Sequence, residues 1–202
     1  MQLFTIQPHN IDKRQITAAA DIMRAGGVVA YPTDSSYGIG CDIMNKDAIA
    51  KVRRIKQMHD TKPLTFICSS LSHASQYAVI TDQAYRTMKH LIPGPYTFLL
   101  DATKLTPKAV QNPKRKRCGI RIPANEACMA LVEELGRPII STTAKIDGEA
   151  TGDPWRINQE LEGLIDGLID GGYSEAAQTT VLLFENSQVE LVRQGLGKVD
   201  FL

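Results

Sequence analysis

No segment of the 202-residue chain approaches the length needed to cross a bilayer, and residues 1–15 lack the basic start and apolar run of a secretory leader. Both absences lead to the expectation of a cytoplasmic protein without membrane attachment. Cysteine is sparse: Cys41, Cys68, Cys118 and Cys128 lie far apart, with no C-x-x-C pair. That spacing predicts four reduced thiols. His9, His59, His73 and His90 show no ligand spacing toward the cysteines, which argues against a structural metal. No histidine and carboxylate stand at the spacing of a hydrolase triad. There is no G-x-x-x-x-G-K-[ST] loop, and Gly38-Ile39-Gly40 is too short for a dinucleotide fingerprint. Repeats, low-complexity tracts and breaks in composition are missing too, so residues 1–202 are expected to form one domain.

A further absence is local. From Ala102 to Asn125 there is no acidic residue, while Lys104, Lys108, Lys114, Arg115, Lys116, Arg117 and Arg121 fall in that span. The formal charge of +1 hides this asymmetry, and local charge density is what attracts phosphate. Arg121 stands between Ile120 and Ile122 in a strand-like alternation. An arginine so flanked is expected to hold an anion or a carboxylate.

Apolar residues make up 43% of the chain and charged residues 22%, a balance that suits a soluble globular protein. Strands are predicted at 3–6, 27–30, 64–68, 96–100, 118–122 and 138–140, with a hairpin over 179–194. Helices are predicted from Asn10 or Asp12 to Ala25, from Asn45 to Gln57, over 71–77 and 82–91, and from Asn125 to a stop at Gly136. Asp153 with Pro154 starts a last helix, whose stripe of Ile157, Leu161, Leu164 and Leu168 runs on toward Gly171-Gly172. Tyr85, Met88 and Ile92 read as a core stripe, and Lys51, Arg53 and Arg54 as a solvated helix face. The alternation implies an α/β protein: a twisted open sheet, mixed parallel and antiparallel, with flanking helices.

In such sheets ligands sit past the carboxyl ends of strands. Three polar segments follow apolar runs: Tyr31–Gly40, the region 56–63, and Ser141–Lys145. If they converge, they offer the hydroxyls of Thr33, Ser35, Ser141 and Thr143 and the cations of Lys56, Lys62, Arg121 and Lys145. That combination suits a phosphate-bearing ligand, for which positioning and charge neutralisation matter more than a covalent nucleophile.

Several blocks together resemble the YrdC-like family, and in detail its YciO branch. They are Tyr31-Pro32-Thr33-Asp34-Ser35-Ser36-Tyr37-Gly38-Ile39-Gly40-Cys41, Arg54-Ile55-Lys56-Gln57 with Lys62-Pro63-Leu64, Pro93-Gly94-Pro95-Tyr96-Thr97, Gly119-Ile120-Arg121-Ile122-Pro123, Ser141-Thr142-Thr143, and Thr179-Thr180-Val181 with Val192-Arg193-Gln194-Gly195. They occur in the family's order across nearly the whole chain. The resemblance implies the YrdC-like fold, with a large basic concave surface. It also implies L-threonylcarbamoyl-AMP synthesis from L-threonine, bicarbonate and ATP, the nucleotide carried with Mg2+, in the service of tRNA modification. Binding of double-stranded RNA or tRNA is implied as well. Carried across, Thr33, Arg121, Ser141 and Thr179 hold threonine, with Arg121 on its carboxylate. Lys56, Arg117, Thr143, Thr151 and Arg193 hold ATP or AMP, and Lys56, Thr143 and Lys145 fall at catalytic positions. Lys104, Lys108, Lys114, Arg115, Lys116 and Arg117 form the RNA-binding candidate.

The chain departs from the family's Lys-x-Arg and Ser-x-Asn tetrad. It reads Lys56-Gln57-Met58 and Thr143-Ala144-Lys145. Methionine cannot donate to phosphate, and lysine has a different reach and shape from arginine. Three expectations follow: nucleotide and RNA binding with weak or redirected synthesis; a competent synthase in which Lys145 replaces the lost arginine; or an RNA-binding or ribosome-associated factor without catalysis.

Overall fold

Alternate residues of the central strands differ in kind, and the difference gives the sheet two unlike faces. A computed structural model describes residues 1–7, 9–58, 64–110, 116–185 and 188–200. In chain order the elements are β1 (Gln2–Thr5), α1 (Lys13–Arg24), β2 (Val29–Tyr31), β3 (Gly38–Asp42), α2 (Lys46–Ile55), β4 (Thr65–Ile67), α3 (Leu71–Ser75), α4 (Asp82–Met88) and β5 (Tyr96–Asp101). After a 3-10 turn at Lys108–Val110 come β6 (Arg117–Arg121), α5 (Glu126–Leu135), β7 (Ile139–Thr143), β8 (Lys145–Ile146), β9 (Glu149–Ala150), α6 (Pro154–Glu160), β10 (Gly167–Asp170), β11 (Thr180–Glu185) and β12 (Gln188–Arg193). Among the described residues ten strands form one sheet, ordered β1-β10-β2-β3-β7-β4-β6-β5-β11-β12, while β8 and β9 pair as a small separate hairpin. Pairing is mixed: β1/β10, β10/β2, β4/β6 and β5/β11 are parallel, the other pairs antiparallel.

One face carries Ile39, Cys41, Phe66, Phe98, Leu100, Ile120, Ile140 and Leu182, packed against Ile49 and Val52 of α2, Ala74 of α3 and Met88 of α4. The other carries Val29, Tyr31, Ile67, Ile139 and Ile169, covered by Ile16, Ala20 and Met23 of α1 and Leu131 and Val132 of α5. Each large apolar side chain so buried contributes roughly 1.5–3 kcal/mol relative to leaving it in water. Beyond the reach of α1 and α5 the second face turns small and polar. Gly40, Ser141, Thr65 and Gly119 lie side by side across β3, β7, β4 and β6. That row leaves the hollow in which the site lies.

Local signals set the helix ends. Asp12, Asn45, Asn125 and Asp153 each accept a backbone N–H in the first turn, and Gly136 closes α5 in the left-handed region at φ 74°. Other expectations are corrected. Gly38–Asp42 is a strand, not a loop, and β7 continues through the hydroxyl residues to Thr143. The last helix stops at Glu160; Leu164 is exposed, and Leu168 belongs to β10, buried on both faces between β1 and β2. A short apolar run reads equally as helix or strand, and here the sheet claims it. On α4, Ala84 and Met88 face inward while Tyr85 is half exposed. On α2, Arg53 is buried, and Lys51 pairs with Asp166 at 2.7 Å.

Gly40 shows what the small row requires. A Cβ there would lie 2.6 Å from both the Ile140 carbonyl oxygen and Ile139 Cγ2, and 2.9 Å from the Tyr31 hydroxyl. Gly40→Ala is therefore expected to destabilise the fold by about 1–3 kcal/mol, because the obstacle is backbone and cannot rotate away. Thermal melts would read the loss; an unchanged melting temperature would contradict it.

Candidate active site

The hollow is a cleft of about 500 Å³, within the range of roughly 300–1,000 Å³ usual for small-molecule sites. Strands of the open face form its floor through Gly38, Thr65, Thr97, Leu99, Ser141 and Val181. Lys56 and Met58 enter from the end of α2, Thr143 and Lys145 from the end of β7 and the start of β8, and Thr179 and Arg193 from β11's approach and β12. Four cations line it: Lys56, Arg121, Lys145 and Arg193. No carboxylate lies among its described lining residues. An anion entering here meets the charges of Lys56, Lys145 and Arg193 and several hydroxyl groups, while the charge of Arg121 is largely offset by Asp34 behind it.

Several of the hydroxyls are held by their neighbours. The Tyr31 phenol is fully buried, which pushes its pKa well up and keeps it protonated, and it donates to Ser141 Oγ at 2.6 Å. The Thr97 and Thr179 hydroxyls are hydrogen-bonded to each other at 2.8 Å. Arg193 donates through Nε and Nη2 to the Thr179 carbonyl, at 3.1 and 2.8 Å, and through Nη2 to Thr179 Oγ1 at 3.2 Å. Partial burial lowers its pKa, yet a guanidinium stays charged at neutral pH. Arg121, 8% exposed, forms an ion pair with Asp34 and donates from Nη2 to Thr33 Oγ1 at 3.0 Å and Ser35 Oγ at 2.8 Å.

Of the residues singled out from sequence, Lys56, Arg121, Ser141, Thr143, Lys145, Thr179 and Arg193 line the cleft together. Thr33 does not reach its wall. It is buried behind Arg121, and its hydroxyl donates to the Ser36 carbonyl at 2.5 Å while accepting from the Ser35 and Ser36 amides. Thr151 is buried as well, its Oγ1 accepting from the Asp153 amide at 3.1 Å. Arg117 stands apart: it is ion-paired with Asp101 and Glu185, and it begins the strand that Arg121 ends, four residues or about 13 Å away. Lys104, Lys108 and Lys116 are exposed and do not line the cleft. Lys62, Lys114 and Arg115 lie outside the described residues. Sequence reasoning overlooked Thr97 and Thr65 as lining groups, although a threonine among strand apolars was the signal available. It also left Asp34 without a role.

The four cysteines are buried and unpaired. Burial pushes the thiols of Cys41, Cys118 and Cys128 up to about 12, so they are not nucleophiles at neutral pH. Among the described residues no helix is long and apolar enough to cross a membrane.

Comparison with known proteins agrees with this architecture. The Sua5/YciO/YrdC family model, described as telomere recombination, matches residues 21–195. The chain is 40% identical over 200 residues to uncharacterized protein YciO of Escherichia coli strain K12, covering 98% of this chain and 97% of that protein. It is 37% identical over 139 residues to the threonylcarbamoyl-AMP synthase of Hydrogenovibrio crunogenus, covering 66% of this chain and 74% of the synthase. The crystal structure of E. coli YciO superposes with a TM-score of 0.94 over 98% of both chains. P. abyssi Sua5 complexed with L-threonine superposes with a TM-score of 0.90 at 26% identity, over 96% of this chain and 58% of that one. By fold, by sequence and by the match over most of its length, the chain belongs to the Sua5/YciO/YrdC family.

Proposed function

We propose that the cleft binds L-threonine and an adenine nucleotide together, and that the protein is a threonylcarbamoyl-AMP synthase-like member of its family whose adenylate-forming step is weak or redirected. The observation that carries this reading is the set of four cations and paired hydroxyls, with no carboxylate, among the described lining residues. Arg121 is level with Ile67, which is level with Ile139; Thr143 lies four residues farther along β7, about 13 Å along the sheet. The cleft thus has room for an amino-acid carboxylate at Arg121 and for phosphate beside Lys56, Thr143 and Lys145. Binding of L-threonine by Sua5 of P. abyssi supports the first half. The altered tetrad, with Met58 and Lys145, is why the chemistry is assigned as weak. On this reading magnesium enters with the nucleotide phosphates, since the described lining residues offer hydroxyls but no carboxylate to hold the ion alone.

Titration calorimetry with ATP and L-threonine, separately and together, tests the reading. Each ligand should bind, and diphosphate release should be much slower than that of the H. crunogenus synthase under the same conditions. No heat with either ligand would refute the binding, and a matching rate would refute the weakness.

RNA binding is a second reading, favoured by one observation: Lys104, Lys108 and Lys116 are exposed along an acid-free stretch. Arg117, neutralised by Asp101 and Glu185, does not add to it. Reversing the three lysines to glutamate should weaken binding of a generic RNA duplex. It should also flatten the dependence of log affinity on log salt by roughly one unit for each phosphate that a lysine no longer neutralises. An unchanged slope would remove these lysines from the RNA surface.

A further inference from the structure

We infer that Asp34 is a positioning residue for the carboxylate-binding arginine, a proposal that rests on Arg121 taking the ligand's carboxylate as set out above. The two side chains are sealed together, 10% and 11% exposed. Asp34 Oδ1 takes Arg121 Nη2, while Asp34 Oδ2 accepts the Ala124 amide at 3.0 Å, at the residue just before the Asn125 cap of α5. One carboxylate therefore ties the segment after β2 to the segment after β6. Nη2 has two hydrogens. The oxygens of Thr33, Asp34 and Ser35 use them fully. Among the described residues Nη1 makes no hydrogen bond, and Nε is buried with no partner. The protein thus holds the guanidinium by one nitrogen, on a residue that lines the cleft.

Two consequences follow. An arriving carboxylate meets a guanidinium that is already oriented, so no long side chain has to be ordered on binding. The pair is also close to neutral, so Arg121 selects by the direction of its remaining N–H groups rather than by attracting anions at large. Asparagine cannot reproduce the clamp. Whichever way its amide is turned, its NH2 faces a donor, either Arg121 Nη2 or the Ala124 N–H.

The test is calorimetry of the wild type, Asp34→Asn and Ala124→Pro with L-threonine and with ATP as separate probes. Asp34→Asn should raise the L-threonine Kd about ten-fold, the scale of ordering one long side chain, and leave the ATP Kd within about two-fold. Ala124→Pro keeps both charges and removes the N–H that steadies Asp34, while also fixing φ at that exposed position and restricting Pro123; it serves if Asp34→Asn does not fold. It should raise the L-threonine Kd in the same selective way, by less. An unchanged or lower L-threonine Kd in a folded variant overturns the proposal, as does an equal loss for both ligands, which would mark a merely structural role. If the wild type does not bind L-threonine, the reading of the cleft fails first, and this proposal with it.

Discussion

Arg121→Ala is expected to abolish L-threonine binding and to lower stability by about 3–5 kcal/mol, the usual cost of leaving one member of a buried ion pair uncompensated. The two effects have different origins and can be separated. Binding would be lost because, in the function proposed above, the guanidinium supplies the N–H groups for the carboxylate. Stability is lost because Asp34, 11% exposed, is left with only the Ala124 amide as a partner among the described residues. Adding Asp34→Ala to Arg121→Ala should therefore recover much of the stability in denaturant titrations and none of the binding. A double variant no more stable than the single would mean that the pair is not the source of the loss. Arg121→Lys would keep a charge but not the planar donor set, so it should rescue stability better than affinity.

Restoring the arginine and asparagine of the tetrad, with Thr143 left to supply the hydroxyl, should produce the largest gain. Met58→Arg combined with Lys145→Asn is expected to raise L-threonine-dependent diphosphate release by at least about ten-fold, since a single well-aimed donor at developing charge is worth about 10²–10³ in rate. Met58 lines the cleft and packs its side chain partly on the core, and an arginine stem can cover the same apolar surface while its head reaches the ligand. Lys145 is exposed at the cleft mouth, so its replacement should cost little stability. The competing expectation, that Lys145 already serves for the missing arginine, is read from Lys145→Ala alone. If that change eliminates residual release, lysine carries the step; if release is unaltered, the weakness lies at Met58.

Legibility in the sequence followed range. The caps at Asp12, Asn45, Asn125 and Asp153 and the left-handed Gly136 were readable because each is satisfied within a few residues of chain. The β11–β12 hairpin was readable for the same reason. The polar segments near residues 31–40 and 141–145 do reach the cleft, through Ser36 to Gly38 and through Ser141 to Thr143 with Lys145, since polar groups without partners inside the protein must face a cavity or water. Arg121 was expected to hold an anion or a carboxylate, and it pairs with the carboxylate of Asp34. Its partner, 87 residues upstream, was not recognised as such. Arg117 looked like part of the same basic run, and its two acidic partners come from other strands.

The sequence by itself determined the α/β class, most helix starts, the acid-free basic stretch and the ordered blocks that mark the family. Tertiary structure decided which of those polar residues meet. It made Gly38–Asp42 a strand under the Tyr31 ring, drew β10 out of an apparent helix, set Thr33 and Asp34 behind Arg121 rather than in the cleft, and neutralised Arg117. The physical reason is that caps and turns are settled by neighbours along the chain. Strand pairing and ion pairing are settled by neighbours across the sheet, which no local pattern names.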